Sequence, residues 1–320
     1  MMTNAPQVYC IKVNDIKDFL QCLECFDENW LFRGHANADW SLSTSLERAN
    51  NDHIEELDIH CPRHPEARKR LIQFHSAELR YCDEYAAAMA YRRLANIPQP
   101  DFVVEILARM QHYGTPTRLL DVTQSLLLAL FFAFDGYGNN SRAIWAFNRP
   151  FFYETSDLAK HNRCFDFDGP ESGAEEYYDL MTNKERLYNA CLKETKNYIH
   201  KETEPDSTDK KLIIPIEVTG NNPRLVAQNG AFLFPSTLKP FEEHLMAILK
   251  KNRDEYNAAL NAEIELKDFF ENKFFDTKVV KMEFPISFRK YAERFLTAAN
   301  ISPHSVYPDE IGLAKSIRYW

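Results

Sequence analysis

An uninterrupted apolar run, Leu126 to Phe134, follows directly on the polar stretch Gln111-His-Tyr-Gly-Thr-Pro-Thr-Arg118 and on Asp121-Val-Thr-Gln-Ser125. That junction constrains the fold more than any other feature of the chain. The run is far short of a membrane span and has no polar side to turn to water, so it reads as a helix buried all round. Gly114 and Pro116 set a turn, Arg118 to Asp121 read as a short strand, and Ser125 to Phe134 read as the buried helix. Asp121, Thr123 and Gln124 then fall at a strand-to-helix junction, where free backbone N–H groups can meet a polar ligand. This segment is the expected wall of a functional site.

Around it, periodicity lays out the other elements. Asn14 or Asp15 caps a helix running to about Phe26, and Asn29 to Gly34 forms an apolar strand that delivers Arg33 to a rim. Pro65 to Leu94 keeps helical spacing through Leu71, Phe74, Leu79, Tyr85 and Met89, so 50–100 reads as a helical insert. Asp101 to His112 is a further helix that hands Gln111, His112 and Tyr113 to the turn at Gly114. Strands are expected at Ala143–Phe147, Leu212–Val218 and Thr277–Glu283, and helices over Lys239–Phe275 (the 236–276 region), Ser287–Asn300 and Asp309–Tyr319. Between them, His161 to Gly173 reads as an acidic loop or lid. Helices scattered among strands argue for an α+β fold with mixed, mostly antiparallel central strands, a helical insert and a helical C-terminal part. A length of 320 residues allows one large domain or two lobes, and the spread of motifs favours a single unit over 1–320.

A formal charge of −9 makes a broad nucleic-acid surface an unexpected partner, although a local basic pocket is compatible with it. Met1 to Cys10 lacks the basic and apolar regions of a signal peptide, so a cytoplasmic protein with no membrane partner is expected. Seven cysteines without scaffold density read as reduced thiols. Cys22-x-x-Cys25 sits in an amphipathic helix pattern, His60, Cys61 and His64 have irregular ligand spacing, and Asp166-x-Asp168-Gly169 lacks the further oxygens of a calcium loop, so no metal is expected. Phosphate-loop, dinucleotide-fold, nucleophile-elbow and zinc-protease signatures are all missing from the sequence.

Four segments, in order, carry a family resemblance: Trp30-Leu-Phe-Arg-Gly-His35 with Trp40 to Arg48, Gln111 to Asp121, Arg224-Leu-Val-Ala-Gln-Asn-Gly-Ala-Phe232, and Tyr307-Pro-Asp-Glu-Ile-Gly-Leu-Ala314. Together they resemble the FRG domain, a family named for an aromatic-Arg-Gly triplet. More distantly, the order Arg-Gly, strand-Thr-helix with Ala129 and Ala133, then Gln before Gly-x-Phe, is similar to the Arg, Ser-Thr-Ser and Glu motifs of ADP-ribosyltransferases. The resemblance implies an ADP-ribosyltransferase-like pocket that takes NAD as substrate and either transfers ADP-ribose or cleaves NAD. Arg33 would grip pyrophosphate or ribose, with Gly34, His35, Tyr113, Arg118 and Thr123 about the ligand. Gln228 stands where the transferases place a Glu that steadies positive charge as the glycosidic bond loosens. A neutral amide gives weaker electrostatic help, so either Asp121 or Glu310 substitutes or the protein binds without efficient turnover. Leu120-Asp-Val-Thr-Gln124 also departs from Ser-Thr-Ser.

The implied partners are a nucleotide-type small molecule and, for transfer, a protein acceptor, with bacterial ADP-ribosylating effectors suggesting a role in defence. The alternative is a non-enzymatic nucleotide- or protein-recognition module. Structural readings stand beside the functional ones: Arg33 or Arg118 clamped to Asp121, His112 and Tyr113 packed on Trp30 or Trp40, Gln228 satisfying backbone at a bulge, Trp40 and Phe232 in the core, and Asp309 and Glu310 as helix-start charges.

Overall fold

A computed structural model describes residues 7–54, 103–136, 138–155, 211–217, 223–236, 240–262 and 264–318. Within them seven strands pair into one sheet: β1 (Gln7–Lys12), β2 (Trp30–His35), β3 (Leu120–Thr123), β4 (Arg142–Asn148), β5 (Ile213–Glu217), β6 (Gly230–Pro235) and β7 (Thr277–Phe284). Their order is β1-β7-β4-β2-β3-β6-β5, with β1 parallel to β7 and every other neighbouring pair antiparallel. This is the mixed, mostly antiparallel sheet of an α+β protein.

Both faces of the sheet are covered, and the period of two along each strand decides which residue serves which core. On central β4, Ile144 and Ala146 join the core that holds Phe32, Val280 and Met282. Trp145 and Phe147 join the opposite one, with Leu31, Leu120 and Val122. Pro215, which has no N–H to give a ladder, is tolerated because β5 lies at the end of the strand order.

In chain order the α-helices of four residues or more are α1 (Ile16–Cys25), α2 (Ser45–Ile54), α3 (Val103–His112), α4 (Leu126–Phe134), α5 (Arg149–Thr155), α6 (Pro223–Ala227), α7 (Phe241–Ile248), α8 (Arg253–Asn261), α9 (Arg289–Ala298), α10 (Pro303–Val306) and α11 (Glu310–Arg318). Phe19 and Cys22 of α1, most of α4, and Ala292 and Leu296 of α9 fill the first core. Phe152 of α5, Leu245 of α7 and Tyr256 of α8 fill the second. Asp15 caps α1 by accepting from the Lys17 and Asp18 N–H groups, and Ser125 caps α4 by accepting from Leu128. Cys22 and Cys25 are free thiols whose pKa values burial pushes up, so they behave as packing groups.

Gly34 fixes how α4 meets the sheet. A Cβ on Gly34 would lie 2.2 Å from the Ala129 carbonyl oxygen and 2.7 Å from the Ala133 nitrogen, both in the α4 backbone. Strand and helix touch because glycine and two alanines leave the space.

Several sequence expectations need correction. The strand read over Arg118–Asp121 is β3, shifted to Leu120–Thr123, because Pro116 and the Thr117 side chain hold the preceding residues in a turn. β1 had no counterpart in the reading. Gln228, read at a bulge, instead follows the short helix α6, and Asn229, at φ 44, reverses the chain before β6 begins. The helical region after Lys239 is broken where Lys250 adopts φ 54 and Asn252 starts α8 with a capping box. The stretch Pro65–Leu94, the loop His161–Gly173, the His60–Cys61–His64 cluster and Asp166–Gly169 lie outside the described residues.

Candidate functional site

The sheet has one weak joint. β2 pairs with β4 from Trp30↔Asn148 to His35↔Ala143, and β3 pairs with β6 along its whole length, yet β2 and β3 share a single pair, Phe32↔Thr123. Past that pair the two strands part, and Arg33 reaches across the gap. Its Nη1 donates to the Asp121 carbonyl oxygen at 2.6 Å and lies 3.8 Å from the Asp121 carboxylate. With Asp121 56% exposed, that carboxylate contact is a weak surface pair, while the hydrogen bond to the carbonyl bridges the strands.

Arg33 Nε donates to His35 Nε2 at 3.1 Å. A guanidinium can only donate, so Nε2 is the bare nitrogen of His35 and the proton sits on Nδ1. Burial, reinforced by the charge of Arg33, pulls the His35 pKa down to about 3, which keeps the ring neutral and able to accept. Burial also lowers the Arg33 pKa, opposed by Asp121, without threatening its charge.

A cavity of about 460 Å³ opens at this joint, within the range of roughly 300–1,000 Å³ usual for small-molecule sites. All four motif segments reach its wall: Arg33 and Gly34 from β2 with Arg48 from α2, His112 and Asp121 from the central signature, Arg224 and Gln228 from the α6 turn, and Tyr307 after α10. Among the described residues, Arg33, Arg48 and Arg224 line it with a single acidic residue, Asp121, a local excess of positive charge in a chain of net −9. Burial and then Arg224 lower the His112 pKa, with Asp309 opposing, so the imidazole adds no further charge near neutrality.

Most of the central signature builds the wall. Gln111 Oε1 accepts from Ser45 Oγ at 3.0 Å and from the Thr117 hydroxyl, while its Nε2 donates to the Leu119 carbonyl at 3.0 Å. One side chain thereby ties α2, α3 and the approach to β3 together. Gly114, at φ 86, ends α3 in a left-handed turn. The strand-to-helix junction is less open than its sequence suggests. Gln124 N–H donates to the Asn229 carbonyl, Ser125 N–H to Thr123 Oγ1, and Thr123 Oγ1 in turn to the Gln228 carbonyl at 2.8 Å. Gln228 Nε2 donates to the Val306 carbonyl at 3.4 Å.

Of the site residues expected from sequence, Arg33, Gly34, Asp121, Thr123 and Gln228 share the wall, and His35, Tyr113, Arg118 and Glu310 do not. His35 lies buried behind Arg33, and Arg118 is 2% exposed with its guanidinium 5.5 Å from the Phe234 ring centroid. Tyr113 is 73% exposed and stacks edge-on with His112. Glu310 begins α11 as an exposed residue suited to a helix start. Trp40, expected in the core, is 56% exposed at the cavity, because the turn it occupies sends Ala38 inward instead, at 4%. Arg48, Arg224 and Tyr307 join the wall although sequence reasoning gave them no role. Each lies within one of the four motif segments.

Fold and site together define an α+β protein whose cationic cavity occupies a parted strand joint. The family model of the FRG domain matches residues 28–142, so an FRG domain spans β2, β3, α4 and their connections. Arg224, Gln228 and Tyr307 complete the cavity from outside that match. No curated protein and no solved structure matches the chain. Among the described residues no helix is long and apolar enough to cross a membrane, and no three His, Cys, Asp or Glu side chains gather as metal ligands.

Proposed function

We propose that the cavity binds a dinucleotide of the NAD class and that the protein transfers its ADP-ribose to an acceptor or to water. One observation carries the reading: Arg33, Arg48 and Arg224, from three separate elements of the fold, line a single nucleotide-sized cavity. Guanidinium forks match phosphate oxygens in geometry as well as charge, and a partly enclosed wall weakens the screening that water would impose. In hydrolysis the ribose–nicotinamide bond breaks, nicotinamide leaves with the bonding pair, and water supplies the new C–O bond while releasing a proton. Positive charge grows on the ribose as the bond loosens, and a nearby carboxylate lowers that barrier. Asp121 is the carboxylate on the described wall, and Arg33 lies beside it.

A second reading has its own support. Gln228, at the position where a catalytic Glu would stand, donates from its side-chain amide to the Val306 carbonyl while its main-chain carbonyl accepts from the Thr123 hydroxyl, which is the work of a brace. A recognition module that binds a nucleotide without turnover fits that arrangement. The two readings separate in one experiment. NAD should raise the melting temperature of the full chain in either case, and nicotinamide release followed by chromatography should occur only for the enzyme, with Asp121→Asn reducing it about a hundredfold or more. Binding with no release above background, at high protein concentration and with acceptor proteins supplied, selects the module. Absence of any NAD-dependent shift would refute both forms of the proposal.

A further inference from the structure

The described residues include three tryptophans with very different surroundings. Trp30 and Trp145 are 4% and 2% exposed, filling the two cores, whereas Trp40 keeps 56% of its surface open on the cavity wall. An indole gains its stability from burial, so leaving one open forgoes much of that gain unless something else covers it. Nor is Trp40 open because its loop is slack. Ala38 N–H donates to the Ser141 carbonyl at 2.8 Å, Trp40 N–H to the Asn37 carbonyl at 3.3 Å, and Asp39 N–H to Asn37 Oδ1 at 3.0 Å. The Ala36 carbonyl is held by the buried Arg142 guanidinium, and the indole meets the His35 ring edge-on, with centroids 6.1 Å apart. A flat apolar surface is thus fixed beside the guanidinium that His35 orients.

Resting on the nucleotide reading of this cavity, we propose that Trp40 is the stacking platform for the ligand's base, and that the site selects ligands joining a planar heterocycle to phosphate over phosphate or sugar phosphate alone. The arginines take the charged part and the indole takes the ring. A sugar phosphate satisfies half of the wall and leaves the indole wet.

The test is intrinsic fluorescence and calorimetry on the full chain with NAD, ADP-ribose, AMP, ribose 5-phosphate and inorganic pyrophosphate. Base-bearing ligands should quench part of the tryptophan emission, and Trp40→Ala should weaken them by about tenfold to a hundredfold. Trp40→Phe, which keeps a ring, should recover most of that loss, and pyrophosphate should bind wild type and Trp40→Ala alike. If NAD binds but Trp40→Ala leaves its affinity unchanged, or if pyrophosphate weakens equally, the platform is overturned while the nucleotide site survives. AMP binding that depends on Trp40, with NAD failing to bind, supports the platform and removes NAD as the ligand. If no base-bearing ligand binds, both fall.

Discussion

Replacing Gly34 by alanine tests whether the glycine of the Arg-Gly pair serves the ligand or the fold. The added Cβ would stand 2.2 Å from the Ala129 carbonyl oxygen, 2.7 Å from the Ala133 nitrogen and 3.0 Å from the Phe132 Cβ. Two of these are backbone atoms in the middle of a buried helix, so no rotamer change relieves the overlap. Restoring ordinary contact requires β2 and α4 to separate by roughly 1 Å, which opens gaps under a helix with Ala129, Leu130, Phe131, Ala133 and Phe134 all buried. Overpacking of this kind ordinarily costs about 1–3 kcal/mol, and the rigid backbone puts Gly34→Ala at or beyond the upper end. The melting temperature, read by circular dichroism, should fall by about 4–5 °C. Ala129→Gly should not rescue it, since the clashing atom is the carbonyl of residue 129 and not its methyl group. A Gly34→Ala protein that melts within a degree of wild type, or one that Ala129→Gly restores, would refute the reasoning. Normal melting with lost NAD binding would return the glycine to the ligand.

Gly312, in the closing motif, faces a similar limit: its Cβ would fall 1.8 Å from the Tyr307 carbonyl oxygen, so Gly312→Ala should destabilise the α10–α11 turn and lower the melting temperature by several degrees; unchanged melting would contradict the packing. Two buried groups predict opposing pH dependences. Burial raises Glu47, which accepts from Thr44 and the Phe241 N–H, from 4.5 to about 7, so its stabilisation is complete below pH 4.5 and fades up to pH 7. His35, lowered from 6.5 to about 3, stabilises fully above pH 6.5 and loses that contribution as pH falls toward 3. Between pH 4.5 and 6.5 the two slopes oppose, each at most about 1.4 kcal/mol per pH unit. Denaturant titrations should therefore show Glu47→Gln gaining stability with pH and His35→Gln losing it across this window, and parallel slopes for both variants and wild type would sink the assignment.

Local chemistry made the elements readable, and long-range geometry hid the site. Asp15, Ser125 and Gly114 announced helix ends because capping and positive φ depend on the residue itself. The apolar run of α4 could only be buried. β1 escaped notice because Val8 serves one core and Ile11 the other, which blurs the alternation of a half-buried strand. Trp40 misled because composition assigns aromatics to cores, while the turn had already given the inward place to Ala38. No local pattern encodes the parting of β2 from β3, since it arises from how each strand pairs with its other neighbour. For the same reason nothing local to Arg48 or Arg224 signals that the two converge on one cavity.

A parted joint inside a sheet leaves strand edges that need partners, and Arg33 can supply one without being consumed by it. Arginine carries five N–H donors in a fixed fork. One donates to His35 and another to the Asp121 carbonyl, so the clamp uses two and holds the fork's plane. Three donors of the fork are left over from those two bonds, on a residue that lines the cavity. A lysine could match the charge but not this division, because its three donors share one freely rotating nitrogen. The Arg-Gly pair then has a physical reason to be a pair. The glycine lets α4 press against β2, and that seating fixes the strand from which the arginine spans the gap, so the same two residues close the fold and open the site.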